Sequence, residues 1–224
     1  MKTHFNLTAS EYERHRQGHL QRRRRQVVDD ALAARIEPGA RIIELGCGPG
    51  GLLAELATRH PEADFLGLDV EEKMIVHARH HHALENVRYE LVDLSTDRPT
   101  VAADFAYSID LLHHVRDLPP FLEGVRAALR TGATWLAVEP NVFHPYIFWS
   151  QSRLRRAGFD EDHFRPWRAE PVLRKAGFEV TERRYAFFFP GWIDRVPGTV
   201  AWLEPLLERF RLLGGSVVYS LERS

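Results

Sequence analysis

Residues 42–51 read IIELGCGPGG, and two glycine patterns overlap in them. Gly46, Gly48 and Gly51 satisfy G-x-G-x-x-G, the fingerprint of a turn that holds a pyrophosphate between a strand and a helix. Gly46, Gly48 and Gly50 satisfy G-x-G-x-G, with the acidic Glu44 at the end of the preceding strand. Either pattern requires a strand, a tight turn and a helix, with a ligand lying against backbone that lacks Cβ atoms. The glycines alone do not choose between a ligand with a phosphate and one without.

Outward from this turn, apolar strands alternate with helices. RIIEL (41–45), DFLGLD (64–69), VRYELVD (87–93), DFAYSID (104–110) and ATWLAVEP (133–140) read as strands. Between them LLAELATRH (52–60), EEKMIVHARHHHAL (71–84) and a segment carrying Phe121, Leu122, Val125 and Leu129 read as helices. This alternation predicts an α/β fold, a mostly parallel sheet with helices on both faces. Residues 10–36 have helical spacing up to the stop signal Pro38-Gly39. After Pro140 the rhythm changes. An aromatic, arginine-rich stretch reaches a short helix at 168–176, and FEVTERRYAFFF (178–189), a helix around Trp202–Leu207 and SVVYSLER (216–223) close the chain. The expected organisation is one domain, 1–224, with an N-terminal helical lid at about 1–37 and an aromatic substrate-cap insertion at about 141–176.

Composition narrows the partners. A formal net charge of −1 over 224 residues argues against a general nucleic-acid binder, which usually carries a basic excess. Cys47 is the single cysteine, so an internal disulfide is impossible, which suits a reducing cytosol. With neither a signal-like apolar N-terminus nor an apolar run of membrane-spanning length, the expectation is a cytoplasmic protein with no membrane contact. A homodimer is left open.

The strand ends separate the two readings of the glycine turn. They carry Glu44, Asp69 and Asp93. Asp69 would grip a ribose in either kind of site. Acids on neighbouring strand ends, however, repel a pyrophosphate and suit a sulfonium, an ammonium, a ribose diol and an adenine amino group. They favour S-adenosylmethionine. With IIELGCGPGG, FLGLDVEEKM, YELVDL, DFAYSIDLLHHV and LRTGATWLAVEPN in this order, the chain resembles the class I (Rossmann-like, seven-strand) S-adenosylmethionine-dependent methyltransferases.

That resemblance implies a three-layer Rossmann-like sheet with an antiparallel last strand, and a cofactor site placed residue by residue. Gly46, Cys47, Gly48 and Gly50 form the turn against the methionine portion, which Glu44 supports. Asp69, with Val70 beside it, accepts from the ribose hydroxyls. Asp93 and the Leu94 amide read the adenine, and Ser108 lies near the methionine amine. Bland roles stand beside these: Asp69 as a cap for the helix near Glu71, Asp93 as a turn residue.

For chemistry, a general base matters only when the nucleophile is a protonated hydroxyl or ammonium. His113 and His114 follow the fourth strand. Adjacent helical residues point about 100° apart, so one of them should face the cleft, and the family pattern favours His114. A substrate wall is expected from Asn141, His144, Tyr146, Trp149, His163 and Arg165, with Tyr12 from the lid. The run RRRR (22–25) reads mostly as a solvated helix face. His77 and His81 stand at i, i+4, a metal-like pair for which no third ligand is evident, so no functional metal is expected.

The leading expectation is methyl transfer to an O or N nucleophile of a small molecule. Its alternatives are an RNA or protein methyltransferase and a sulfonium-cofactor protein performing non-methyl chemistry such as intramolecular alkylation. An NAD-dependent oxidoreductase using the longer glycine register stands last, because Glu44 and Asp93 oppose it.

Overall fold

The computed structural model describes residues 8–15, 19–156, 164–187, 202–207, 210 and 213–224. The strands are β1 (Arg41–Leu45), β2 (Asp64–Asp69), β3 (Val87–Leu91), β4 (Ala103–Ile109), β5 (Leu129–Pro140), β6 (Phe178–Ala186) and β7 (Ser216–Arg223). They form a seven-stranded sheet in the order β3-β2-β1-β4-β5-β7-β6. β1 to β5 pair in parallel, and β7 runs antiparallel to both β5 and β6. The helices are α1 (Ala9–His15), α2 (His19–Ala33), α3 (Gly51–Arg59), α4 (Glu72–His81), α5 (Leu118–Ala128), α6 (Pro145–Arg156), α7 (Pro166–Lys175) and α8 (Glu204–Leu207).

Both faces of the sheet are apolar because side chains alternate along each strand and helices cover each side. Ile42 packs in one core cluster with Val28, Leu32, Leu53, Phe65 and Tyr107. Ile43 and Leu45 pack in the other with Leu122, Trp135 and Phe178. Each such side chain, fully removed from water, contributes roughly 1.5–3 kcal/mol. The order places β1 and β4 side by side at the centre, with successive connections leaving in opposite directions. Ligands bind at such a reversal, beyond the carboxyl ends of the strands.

The helical stretch expected over 10–36 is found as α1 and α2, with residues 16–18 outside the described residues. Thr8 and Glu11 form a capping box, with the Glu11 amide donating to Thr8 Oγ1 at 3.3 Å and the Thr8 amide to Glu11 Oε2 at 2.9 Å, and this starts α1. Two expectations need correction. β5 begins at Leu129, not 133. Leu129 pairs with Ala103 and Thr134 with Phe105, so a bulge around Gly132 (φ +76°) absorbs what looks like a loop signal. Finally, Arg24 in the arginine run is buried, not solvated, and clasps Asp110 through two hydrogen bonds of 2.5 and 2.9 Å. That clasp ties α2 to the end of β4.

Candidate cofactor and acceptor site

At the carboxyl end of the sheet lies a cavity of about 720 Å³, within the range of small-molecule sites. Its cofactor side is built from backbone. Gly46 and Gly48 sit at φ +69° and +53°, a left-handed region that glycine enters without steric cost. Adding a Cβ to Gly46 would bring it 2.8 Å from Leu111 Cδ1, so a side chain there would have to push that leucine aside. Asp69 Oδ2 accepts the Gly48 amide at 2.7 Å, and Oδ1 accepts the Glu71 amide at 2.9 Å. Asp69 therefore braces the glycine turn and the start of α4 together. Each carboxylate oxygen keeps a further lone pair for a ligand hydroxyl. Burial raises the Asp69 pKa, and the two backbone amides partly offset this.

Val70, Asp93 and Leu94 line the same cavity as Gly46, Gly48 and Asp69. Asp93 also accepts the Ser95 amide at 2.8 Å, so its turn role and its place at the cavity coexist. Glu44 and Cys47 line a smaller adjoining cavity of about 190 Å³, which shares Gly46, Gly48 and Ile109 with the first. Glu44 accepts the Tyr107 hydroxyl at 3.1 Å. Burial, reinforced by Glu44 and Asp69, pushes the Cys47 thiol well up, so it stays protonated and unreactive.

Two proposed cofactor residues lie elsewhere. Ser108 is fully buried and its hydroxyl accepts Trp135 Nε1–H at 3.1 Å, because the alternation of β4 turns it into the core. Gly50 lines neither cavity. A Cβ on it would lie 2.7 Å from the Tyr89 ring, so its smallness serves packing against β3.

The acceptor side is built from side chains. Leu112–His114 form a 3-10 turn, not an α-helix. Within it His113 and His114 both line the cavity, with ring centroids 4.0 Å apart. The expectation that only one faces the cleft is corrected by this tighter turn. The residue that sets its shape is Glu139, near the end of β5 and fully buried. It accepts the amides of Leu111 (3.0 Å), Leu112 (2.7 Å) and His113 (3.3 Å), and its Oε2 lies 2.8 Å from His113 Nδ1. Sequence reading missed Glu139, although its place in the strand-end EP pair, aligned with the ends of the other strands, was a usable signal. It also missed Asp110, which lines the cavity at φ +56°, a strained setting for a residue with a Cβ.

His144 and Tyr146, at the start of α6, line the cavity together with Ile147 and Phe187. Burial lowers the pKa of His144. Asn141 does not join them. Its side chain donates to the Gly214 carbonyl at 2.7 Å and accepts the Phe143 amide at 3.1 Å, which fixes the turn after β5. Trp149 faces outward, 56% exposed, with the Arg153 guanidinium 5.7 Å from its ring. Arg165 precedes α7 and lines no part of the cavity. His163 lies outside the described residues, as does the side chain of Tyr12.

The residues fit S-adenosylmethionine. A left-handed glycine cradle, acceptors at successive strand ends and a roomy apolar cavity suit a cation with a ribose and an adenine. The central strand reversal and the antiparallel β7 define the architecture of a class I methyltransferase. Comparison with known proteins agrees. Residues 43–135 match the family described as a methyltransferase domain. Trans-aconitate 2-methyltransferase of Variovorax paradoxus (strain S110) is 38% identical over 101 residues, covering 45% of this chain and 38% of that protein. Ubiquinone biosynthesis O-methyltransferase of Sinorhizobium fredii (strain NBRC 101917 / NGR234) is 29% identical over 163 residues, 68% of this chain and 65% of that one. The crystal structure of an S-adenosylmethionine dependent methyltransferase from Mesorhizobium loti superposes with a TM-score of 0.63 at 23% identity, covering 87% of this chain and 96% of that chain. Residues 43–135 are thus similar to methyltransferase domains, and the chain shares its fold with a solved S-adenosylmethionine-dependent methyltransferase. It spans well under half the length of the trans-aconitate relative, at 38%. Among the described residues no helix is long and apolar enough to cross a membrane.

Proposed function

We propose that the chain transfers a methyl group from S-adenosylmethionine to an O or N nucleophile of a small, largely apolar molecule. The observation that carries this reading is the shared cavity: Gly46, Gly48 and Asp69 form one wall, and His113, His144, Tyr146 and Phe187 another. The bound cofactor supplies an electrophilic methyl group. Gly46 and Gly48 let the cofactor approach the backbone, Asp69 accepts from its ribose, and Asp93 with the Leu94 amide faces its base. The apolar wall of Ile109, Leu111, Phe121 and Ile147 excludes water from the transfer.

Glu139 favours the tautomer of His113 that donates from Nδ1, which leaves Nε2 as the ring's acceptor atom. We assign the general base to His113 Nε2 on that ground, with His114 as its neighbour in the cavity wall. Helices α1 and α2 serve as the lid and α6 as the substrate cap. The relatives named for trans-aconitate and ubiquinone biosynthesis support a small-molecule acceptor, as does the near-neutral charge of the chain.

The test has two stages. Calorimetry should show binding of S-adenosylmethionine and its demethylated product, and none of NAD. A labelled methyl group should then be offered to carboxylic acids, phenols and amines alongside bulk RNA and protein. Label in RNA or protein alone would overturn the small-molecule reading. Conversion of a small molecule without label transfer would show non-methyl chemistry on the same cofactor.

A further inference from the structure

We propose that Glu13, His77 and His82 form a divalent transition-metal site that fastens α1 to α4 over the glycine turn. His77 Nε2 lies 3.3 Å from Glu13 Oε2, and His82 Nε2 lies 2.7 Å from Glu13 Oε1. One ligand atom from each of the three residues lies within 4.8 Å of the others. With bonds of about 2.0–2.2 Å to nitrogen and oxygen, a tetrahedral ion needs ligand atoms about 3.3–3.5 Å apart. The two observed contacts, 3.3 and 2.7 Å, lie at and below that value, and small side-chain rotations open the set enough to admit the ion.

Positions five apart on a continuous helix point about 140° from each other, so the two histidines meet only because the helix stops between them. α4 ends at His81, and His82 is its C-cap at φ −128° and ψ 30°. This breaks the helical path and brings the His82 ring centroid to 6.1 Å from that of His77. The i, i+4 pair His77 and His81 stacks at 4.3 Å, but the carboxylate of α1 binds His77 and His82.

Two imidazoles and one carboxylate are a borderline nitrogen–oxygen set suited to zinc, cobalt or nickel, with a fourth position for water. All-oxygen ions such as magnesium or calcium would not choose it. The ligands are partly buried, their side chains 12% (His77), 23% (His82) and 29% (Glu13) exposed. A Cβ on Gly51 would lie 2.4 Å from Glu13 Oε1, so the site rests on the glycine turn. Glu13 and His82 also line the smaller cavity with Glu44, Gly46 and Gly48. Occupancy would therefore brace the wall behind the cofactor, at a distance from the acceptor histidines.

Tag-free full-length protein, stripped with a chelator, should be titrated with zinc against a chromophoric competitor. Hydrogen exchange of α1 should be followed with and without the metal. The expected result is one equivalent bound, with slower exchange over Ala9–His15. Each of Glu13→Ala, His77→Ala and His82→Ala should weaken binding at least about tenfold, the scale of losing one ligand or its support. His80→Ala and His81→Ala should leave it unchanged. Undiminished binding in Glu13→Ala overturns the proposal, since it shows a histidine tract acting alone. So does loss at His81 in place of His82, or zinc binding with no change in α1 exchange. Glu13 lies on the short, peripheral α1, so its variant reports on the site without disturbing the sheet.

Discussion

The two walls of the cavity are built from different materials. The cofactor wall is backbone: amides and left-handed glycines within two consecutive strand–turn–helix units, locked by Asp69 reaching back from β2 to Gly48. The acceptor wall is side chain, drawn from β4, β5, α6 and Phe187 and held in shape by the Glu139 carboxylate. Backbone recognition tolerates few substitutions and fixes one ligand. Side-chain recognition can be rebuilt residue by residue while the sheet beneath stays the same. The contrast predicts that variants on the cofactor wall lose binding and that variants on the acceptor wall lose rate.

The largest effect is expected at Gly48. A β-branched residue is disfavoured at φ +53°, and its side chain would enter the space the cofactor needs. Gly48→Val should give no calorimetric signal with S-adenosylmethionine while circular dichroism stays native. Retained binding would show that this wall does not approach the ligand.

On the acceptor wall, His113→Ala should lower the turnover rate by about 10²–10⁴-fold with cofactor affinity almost unchanged, the range for a lost general base. Glu139→Gln should show a comparable loss of rate. It replaces an acceptor oxygen with a donor facing backbone amides, so it should also destabilise the fold by about 1–3 kcal/mol. His114→Ala should cost less than His113→Ala. Equal, large losses at both histidines would point to a packing role for the ring pair and remove the division between binding and rate.

Asp69 comes next. Asp69→Ala should weaken cofactor binding by about 1–3 kcal/mol through lost charge-assisted hydrogen bonds. Only the ionised carboxylate accepts from both ribose hydroxyls, and burial raises its pKa above the ordinary 3.8. Wild-type affinity should therefore fall on acidification at a pH higher than an ordinary aspartate would give, and Asp69→Ala should lack that step. An unchanged affinity in the variant would leave Asp69 as a brace for the turn alone.

The difference between the walls also decided what could be read from the sequence. β1, β2 and β7 begin and end where their apolar runs do, because a short buried strand between turn residues leaves little latitude. Asp69 was legible because strand and ligand motif are contiguous. Glu139 was not, because its partners lie 26 to 28 residues earlier in a turn whose 3-10 geometry no local pattern announced. Asn141 and Ser108 were misplaced for the same reason. Polar residues near a strand end can face inward, and only tertiary contacts with Gly214 or Trp135 reveal it. Arg24 looked like one of four solvated arginines until Asp110, 86 residues away, was seen to hold it. The third member of the Glu13–His77–His82 cluster was hidden likewise, 64 residues before the first histidine.

The smallest effect concerns His144, which tests how dry the acceptor wall is. Burial lowers its pKa from the ordinary 6.5, so the folded chain resists protonating it more than the unfolded chain does. The unfolded state then binds more protons below about pH 6.5, and stability falls as the pH drops through that window and toward the folded-state pKa. Well above pH 6.5 the ring is neutral in both states and contributes no pH dependence. Denaturant midpoints measured between pH 5 and 8 should therefore decline toward acid less steeply in His144→Gln than in the wild type. The other titrating groups are common to both proteins and cancel in the difference. Parallel profiles would mean that water reaches this ring as freely as in the unfolded chain, and the acceptor wall would then be open where His144 stands.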